Sequence, residues 1–222
     1  MKKEYIFLQF ALVFLFFVLP PLLISGTQVQ TPVGTLTWMI AVEALLALVL
    51  EIQQRKLFTK KTDSPVTQRF IYSLSFGTIT LGLLMLSFAA LQAISIVFPS
   101  LFRQNTVVAR PETVPELLCV LLTFAVSAFY EEVLYRQYVP FVALYAAGNV
   151  KPLRLISEIV CVLVFAFSHR YLGWSAVINA FICGIILRWC YVKTQSVIPG
   201  SIAHFVYNVT VYAFLMHSLQ NT

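Results

Sequence analysis

Apolar runs long enough to cross a bilayer recur along this chain, and they restrict its fold more than any other feature. The first, from about Tyr5 to Ser25, carries no charged residue and has the roughly 20 residues a helix needs to span hydrocarbon. Further runs extend from about Val33 to Leu50, Phe70 to Phe98, Glu116 to Pro140, Leu155 to Ser168, Trp174 to Tyr191 and Val197 to His217. Only 11% of the 222 residues are charged and 59% are hydrophobic, whereas soluble domains carry roughly 25% charged residues. The pattern predicts an all-α polytopic membrane protein, a bundle of about seven transmembrane helices with a polar intramembrane cavity. One transmembrane domain is expected over residues 1–222. Its N-terminal helices occupy about 1–115, and a polar-motif half occupies 116–216.

The basic residues give the bundle an orientation. Lys2 and Lys3 open the chain, the stretch from Glu51 to Arg69 reads as a loop carrying Arg55, Lys56, Lys60, Lys61 and Arg69, and Pro99 to Pro115 reads as a second loop. With the N-terminus inside, these first residues, the first-loop cations, Lys151, Arg154 and Lys193 all fall on the cytoplasmic side. Only Arg103, Arg110 and Arg170 fall outside, which follows the positive-inside bias. Seven spans leave the C-terminus outside. The first run is longer than a secretory signal's apolar region and lacks a small-residue cleavage site, so it reads as a retained helix, bent or ended at Pro20-Pro21. Gly77 and Gly82 are small residues suited to close helix approach.

Function classes fall away on the same evidence. The net charge of +6 is accounted for by loop cations and topology, so no nucleic-acid partner is expected. Cys119, Cys161, Cys183 and Cys190 all lie in apolar segments without CxxC spacing. They read as small, reduced, buried residues.

Against this apolar background one segment stands out, Phe129-Tyr130-Glu131-Glu132-Val133-Leu134-Tyr135-Arg136. Each charge costs roughly 2.5–3.5 kcal/mol at a bilayer centre on insertion scales, so such residues face a polar interior. On an α-helix Glu132 and Arg136 share a face in the favourable acid-before-base order. Glu131 lies about 100° around and is left free to take a proton. A purely structural ion-pair cluster explains this segment equally well by itself. Phe165-Ala166-Phe167-Ser168-His169 then ends one apolar run in a histidine, and His204-Phe205-Val206-Tyr207-Asn208 sets a histidine and an amide four apart on another. Proton relays and hydrolases both use sets of this kind.

The order EExxxR, FxxxH and HxxxN, each on its own apolar segment, resembles the CAAX protease and bacteriocin-processing family. This is the Abi group of intramembrane endopeptidases, related to the type II CAAX prenyl endopeptidases. The residues that match are Glu131, Glu132, Arg136, Phe165, His169, His204 and Asn208, and the likeness covers about Glu116 to Leu215. It implies hydrolysis of a peptide bond in a hydrophobic, lipidated or membrane-associated peptide. Glu131 with His169 would activate water, His204 and Asn208 would stabilise the oxyanion, and Glu132, Arg136 and Phe165 would support the site. No cofactor is favoured. Zinc on Glu131, His169 and His204 is the alternative, weakened by the absence of HExxH and by the poor ligand quality of Asn. The expected location is the cytoplasmic membrane of a bacterium. A non-proteolytic bacteriocin-immunity or proton-coupled transport protein would use the same polar cavity.

A serine motif at Gly173-Trp174-Ser175-Ala176 lacks the glycine expected after the serine, and no GxGD occurs. Glu43 and Glu158 are candidate partners for a cavity-facing group, Glu158 being equally explained by its helix end. Asn179 and Arg188 are expected to form interhelical hydrogen bonds or to snorkel.

Overall fold

The computed structural model describes residues 3–24, 29–30, 37–58, 66–99, 106–107 and 110–218. The sequence-predicted features at Lys2, Ser25, 33–36, Lys60, Lys61 and Arg103 lie outside the described residues. A first rod combines α1 (Lys3–Val13), a π-helical segment π1 (Phe14–Val18) and α2 (Leu19–Leu23). Then come β1 (Val29–Gln30), α3 (Trp38–Phe58), α4 (Val66–Val97) and β2 (Thr106–Val107). A second composite rod joins α5 (Val114–Glu131), π2 (Glu132–Tyr138) and α6 (Val139–Ala147). It is followed by α7 (Lys151–Phe167), a 3₁₀ turn (Arg170–Leu172), α8 (Trp174–Thr194) and α9 (Ile198–Ser218). The architecture is all-α; β1 and β2 form only a two-residue parallel ladder, Val29 with Thr106 and Gln30 with Val107.

Among the described residues six helical segments are long and apolar enough to cross a membrane: Glu4–Leu23, Val66–Val97, Val114–Ala147, Lys151–Leu172, Trp174–Thr194 and Ile198–His217. The chain is an integral multi-pass membrane protein. The expected second span, α3, falls outside that set because it carries Glu43, Glu51 and Arg55 within one membrane length. It nevertheless packs within the bundle, with Ala47, Leu50 and Gln54 buried. Successive rods run in opposite directions. Phe7 meets Tyr145 while Phe17 meets Tyr130, so the first rod opposes the second composite rod. Glu158 meets Arg188 across α7 and α8, and Phe124 meets Tyr212 across α5 and α9.

Four local expectations change. Glu51 to Phe58 and Val66 to Arg69 are helical, so the first basic loop is shorter than predicted. Polar residues extend a helix past the membrane without penalty, and the Arg55–Glu51 pair at 2.7 Å is an i,i+4 contact that only a helix makes. Pro115 opens α5 instead of closing a loop: Thr113 caps it by accepting from the Glu116 N–H at 3.4 Å, and a first-turn proline has no N–H to waste. Of the two glycines, Gly77 meets Pro199 of α9, where an added Cβ would lie 3.4 Å from the proline Cβ; nothing lies within 4 Å of such an atom at Gly82. The bend expected at Pro20-Pro21 is a widening, π1, with helix continuing to Leu23.

Candidate active site

Proline at position 140 shapes the centre of the molecule. It has no N–H to return to the Arg136 carbonyl four residues back, and its ring crowds that carbonyl. The helix widens ahead of it into π2, where the Val139 N–H reaches the Leu134 carbonyl. The Arg136 carbonyl accepts instead from Arg188 Nη1 of α8 at 2.6 Å. Arg188 also forks onto Glu158 of α7, through Nε at 2.7 Å and Nη2 at 2.5 Å. One guanidinium therefore ties three helices, which accounts for Arg188 and Glu158 together.

Six of the seven π2 residues are buried, including Glu132 and Arg136, each 1% exposed. The Glu132–Arg136 contact expected from helical spacing exists at 3.5 Å, longer than a charge-assisted hydrogen bond. Arg136 Nε and Nη2 find no hydrogen-bond partner among the described residues. The guanidinium instead stacks 3.8 Å above the Phe165 ring, a cation–π contact in a dry setting. Phe165 also packs edge-on against Tyr135 at 5.2 Å and His169 at 4.7 Å. The phenylalanine of FxxxH thus joins the EExxxR segment to the histidine.

His204 bridges the two acids. Its Nδ1 lies 3.2 Å from Glu132 Oε1 and its Nε2 lies 3.7 Å from Glu131 Oε2. A carboxylate in this contact accepts, so Nδ1–H donates to Glu132 and Nε2 faces Glu131. Glu132 approaches α9 through a gap made by Gly200, one turn before His204: a Cβ there would lie 2.8 Å from Glu132 Oε2. The carboxylate rests against the first turn of α9, where the helix dipole favours an anion. The first turn already lies inside the bundle, since Val197 and Ser201 are buried. That is how a histidine so early in α9 meets an acid in the middle of the rod from Val114 to Ala147.

Beside this array lies a cavity of about 460 Å³, lined by Glu131 and His169, by Glu43, and by aromatics that include Tyr130, Tyr135 and Tyr171. Glu43 accepts from Ser127 Oγ at 3.1 Å, one turn before Glu131. His169 stands just past α7 with Nδ1 2.9 Å from the Phe165 carbonyl. A carbonyl only accepts, so Nδ1 carries the proton and Nε2 is the basic nitrogen of the neutral ring. His204 is buried behind the cavity and does not line it. Asn208 is half-buried one turn further along α9 and makes no hydrogen bond to the described residues. Asn179 accepts from Tyr207 at 2.6 Å and so bonds α8 to α9.

The zinc donor set does not gather: among the described residues no three His, Cys, Asp or Glu side chains group closely enough to hold a metal ion. The four cysteines are free thiols.

Sequence reasoning missed Gly200 as a site-shaping residue and read Pro140 as an end or kink of the central span, where the helix instead widens and continues. Both had a signal: Gly200 precedes His204 by one helical turn, and Pro140 follows Arg136 by four.

A helical membrane bundle holding two carboxylates and a histidine together at its centre, with a second histidine in the adjoining cavity, defines an integral membrane protein with a buried polar site. Residues 113–210 match the family model described as Rce1-like, type II CAAX prenyl endopeptidase Rce1-like. The matched segment contains all seven motif residues, and over it the chain is similar to the CAAX protease family. At the level of that family the match indicates a protease. No curated protein and no solved structure matches the chain.

Proposed function

We propose that the protein is an intramembrane endopeptidase of the bacterial cytoplasmic membrane, hydrolysing a peptide bond in a hydrophobic, lipidated or membrane-associated peptide. The observation that carries this reading is the Glu132–His204–Glu131 array, whose outer acid, Glu131, borders the cavity shared with His169. Glu131 is the general base. As water oxygen adds to the scissile carbonyl carbon, its proton passes to the Glu131 carboxylate. His169 orients that water through Nε2, the nitrogen left over after Nδ1–H is committed to Phe165. Asn208, one turn further along α9, stabilises the oxyanion, a contribution of roughly 3–4 kcal/mol per donor in well-measured cases. His204, its Nδ1–H committed to Glu132, accepts through Nε2 from Glu131 once that acid has taken the water's proton. Collapse of the intermediate breaks the C–N bond, and the proton held by Glu131 goes to the leaving nitrogen. The products are a carboxylic acid and an amine.

Glu132 gains a role beyond helix packing in this scheme. Its bond to His204 Nδ1 fixes the ring, as the third member of a catalytic set orients the second. Arg136 and Phe165 hold that carboxylate and the His169 helix in register.

The test follows a set of apolar and lipidated peptides by mass spectrometry, with wild-type and Glu131→Gln protein in liposomes. Cleavage should fall by roughly 10²–10⁴-fold in the variant, and chelators should leave the wild-type rate unchanged. Equal cleavage by both proteins would remove Glu131 from the reaction. Loss of wild-type activity to a chelator, reversed by zinc, would favour the metalloprotease scheme. Binding without cleavage across the set would favour an immunity or transport protein.

A further inference from the structure

The cavity beside Glu131 reaches one end of the bundle, and most of the described loop cations lie at the other. From Glu131 its lining extends to Pro21 and Ile24 at the close of α2, Trp38 at the start of α3, and Tyr171 where α7 turns into α8. The connections α2–α3 and α4–α5 share that end, since β1 and β2 pair there. Trp38 and Trp174, 76% and 63% exposed, begin α3 and α8 at the same level, as interfacial aromatics do. Arg55, Arg69, Lys151, Arg154 and Lys193 lie near the α3–α4, α6–α7 and α8–α9 connections, at the opposite end. Among described residues in the connections only Arg110 and Arg170 accompany the cavity.

Cytoplasmic ends of membrane helices carry the excess of Lys and Arg. We infer that the cavity opens on the non-cytoplasmic face, so the site takes peptide segments that have already crossed the membrane or lie in its outer leaflet. The wall chemistry narrows the class further. Glu43 and Glu131 are the acidic residues of the lining, and no Lys or Arg among the described residues lines it. Two carboxylates in a low-dielectric pocket repel a third. The segment that enters is therefore internal to its peptide or carries an uncharged or cationic end, with apolar side chains against the aromatic walls. What happens to that segment rests on the hydrolase reading; the side from which it arrives does not.

Two measurements test this and keep the two ideas apart. In a background lacking Cys119, Trp38→Cys and Ser196→Cys proteins are exposed to a membrane-impermeant maleimide in spheroplasts and in inverted vesicles. Ser196 lines a separate cavity of about 780 Å³ beside Arg55 and Arg69. Trp38→Cys should label from the outside only and Ser196→Cys from the cytoplasmic side only. Should Trp38→Cys fail to fold, Met39→Cys on the same wall replaces it. Labelling of the Trp38 or Met39 position from the cytoplasmic side, alone or with the outside, overturns the inference. Peptide is then added to one or the other face of oriented proteoliposomes, as an amidated and as a free-acid form of the same sequence. Cleavage should require addition on the face that labels Trp38→Cys, and the amidated form should be preferred. Cleavage only from the Ser196 face overturns the inference. The expected labelling with no cleavage of any peptide from either face defeats the hydrolase reading and leaves the access side standing.

Discussion

Two stretches of the chain widen into π-helix, π1 at Phe14–Val18 and π2 at Glu132–Tyr138, each separated by a single residue from a proline. The local cause is the same. Pro20 and Pro21 cannot return N–H groups to Phe16 and Phe17, and Pro140 cannot return one to Arg136. The surroundings differ. In π1 every residue is apolar; Leu15 is 52% exposed to what is lipid in a membrane, and Phe16 and Phe17 border the cavity. In π2 the residues are nearly all buried, two are charged, and a neighbouring helix takes up the carbonyl that the proline leaves. A wide turn in a lipid-facing helix accommodates proline; the same turn inside the bundle aims side chains. A π turn is an inserted residue in an α-helix, and one residue rotates what precedes it by about 100°. Glu131 and Glu132 therefore owe their direction toward His204 to π2.

The comparison is broken most severely by removing Arg136. Arg136→Ala leaves Glu132 buried without its cation and should cost roughly 3–5 kcal/mol of stability, read as lost expression and a lowered melting temperature. A variant of normal stability would mean that the Phe165 stack and the Glu132 contact hold nothing. Gly200→Ala comes next. Its new Cβ must displace Glu132, which tilts His204, and a misplacement near 1 Å can cost about 10²-fold in rate. The loss should appear in kcat, with the melting temperature nearly unchanged; wild-type kcat would show that Glu132 does not orient His204.

A smaller effect is expected at the tie between π2 and α8. Arg188→Met orphans the Arg136 carbonyl, at a cost of roughly 1–3 kcal/mol, and leaves Glu158 unpaired. Adding Pro140→Ala supplies an N–H to that carbonyl and should recover melting temperature while relaxing π2, so that kcat stays low. Recovery of both together would reduce Arg188 to a packing residue. Smallest of all, Pro20→Ala, at the cavity wall and far from the acids along the chain, should move stability by no more than about 1 kcal/mol and change cleavage by no more than a few-fold. A large effect there would erase the distinction between the two wide turns.

Much of this was legible in the chain. Hydropathy alone placed the rods, because lipid accepts few sequences other than long apolar ones, and the three motifs located the polar centre. What failed was geometry that depends on neighbours. Helical spacing put Glu132 and Arg136 on one face, and that contact exists at 3.5 Å, but it did not show that the pitch changes ahead of Pro140 or that Phe165 of α7 stacks on the guanidinium. Helical spacing likewise left Glu131 without a partner, while His204 arrives from α9, 73 positions further along the chain. Charges near helix ends were read as loop at Glu51–Phe58, where an i,i+4 pair continues the helix. Arg188 and Glu158 were legible as polar residues in apolar runs, but their pairing across 30 positions belongs to the packing of α7 on α8.

The central claim is that Glu131 and His204 act as one unit in breaking a peptide bond, and a double-mutant cycle on kcat/KM tests it most directly. Glu131→Gln, His204→Gln and the double variant are compared with wild type on one peptide, each checked for unchanged melting temperature. Residues that serve one step lose their effect together, so the double variant should be no slower than the slower single variant by more than a few-fold. Losses that multiply across the two sites would show that the contact between Nε2 and the Glu131 carboxylate carries no part of the chemistry.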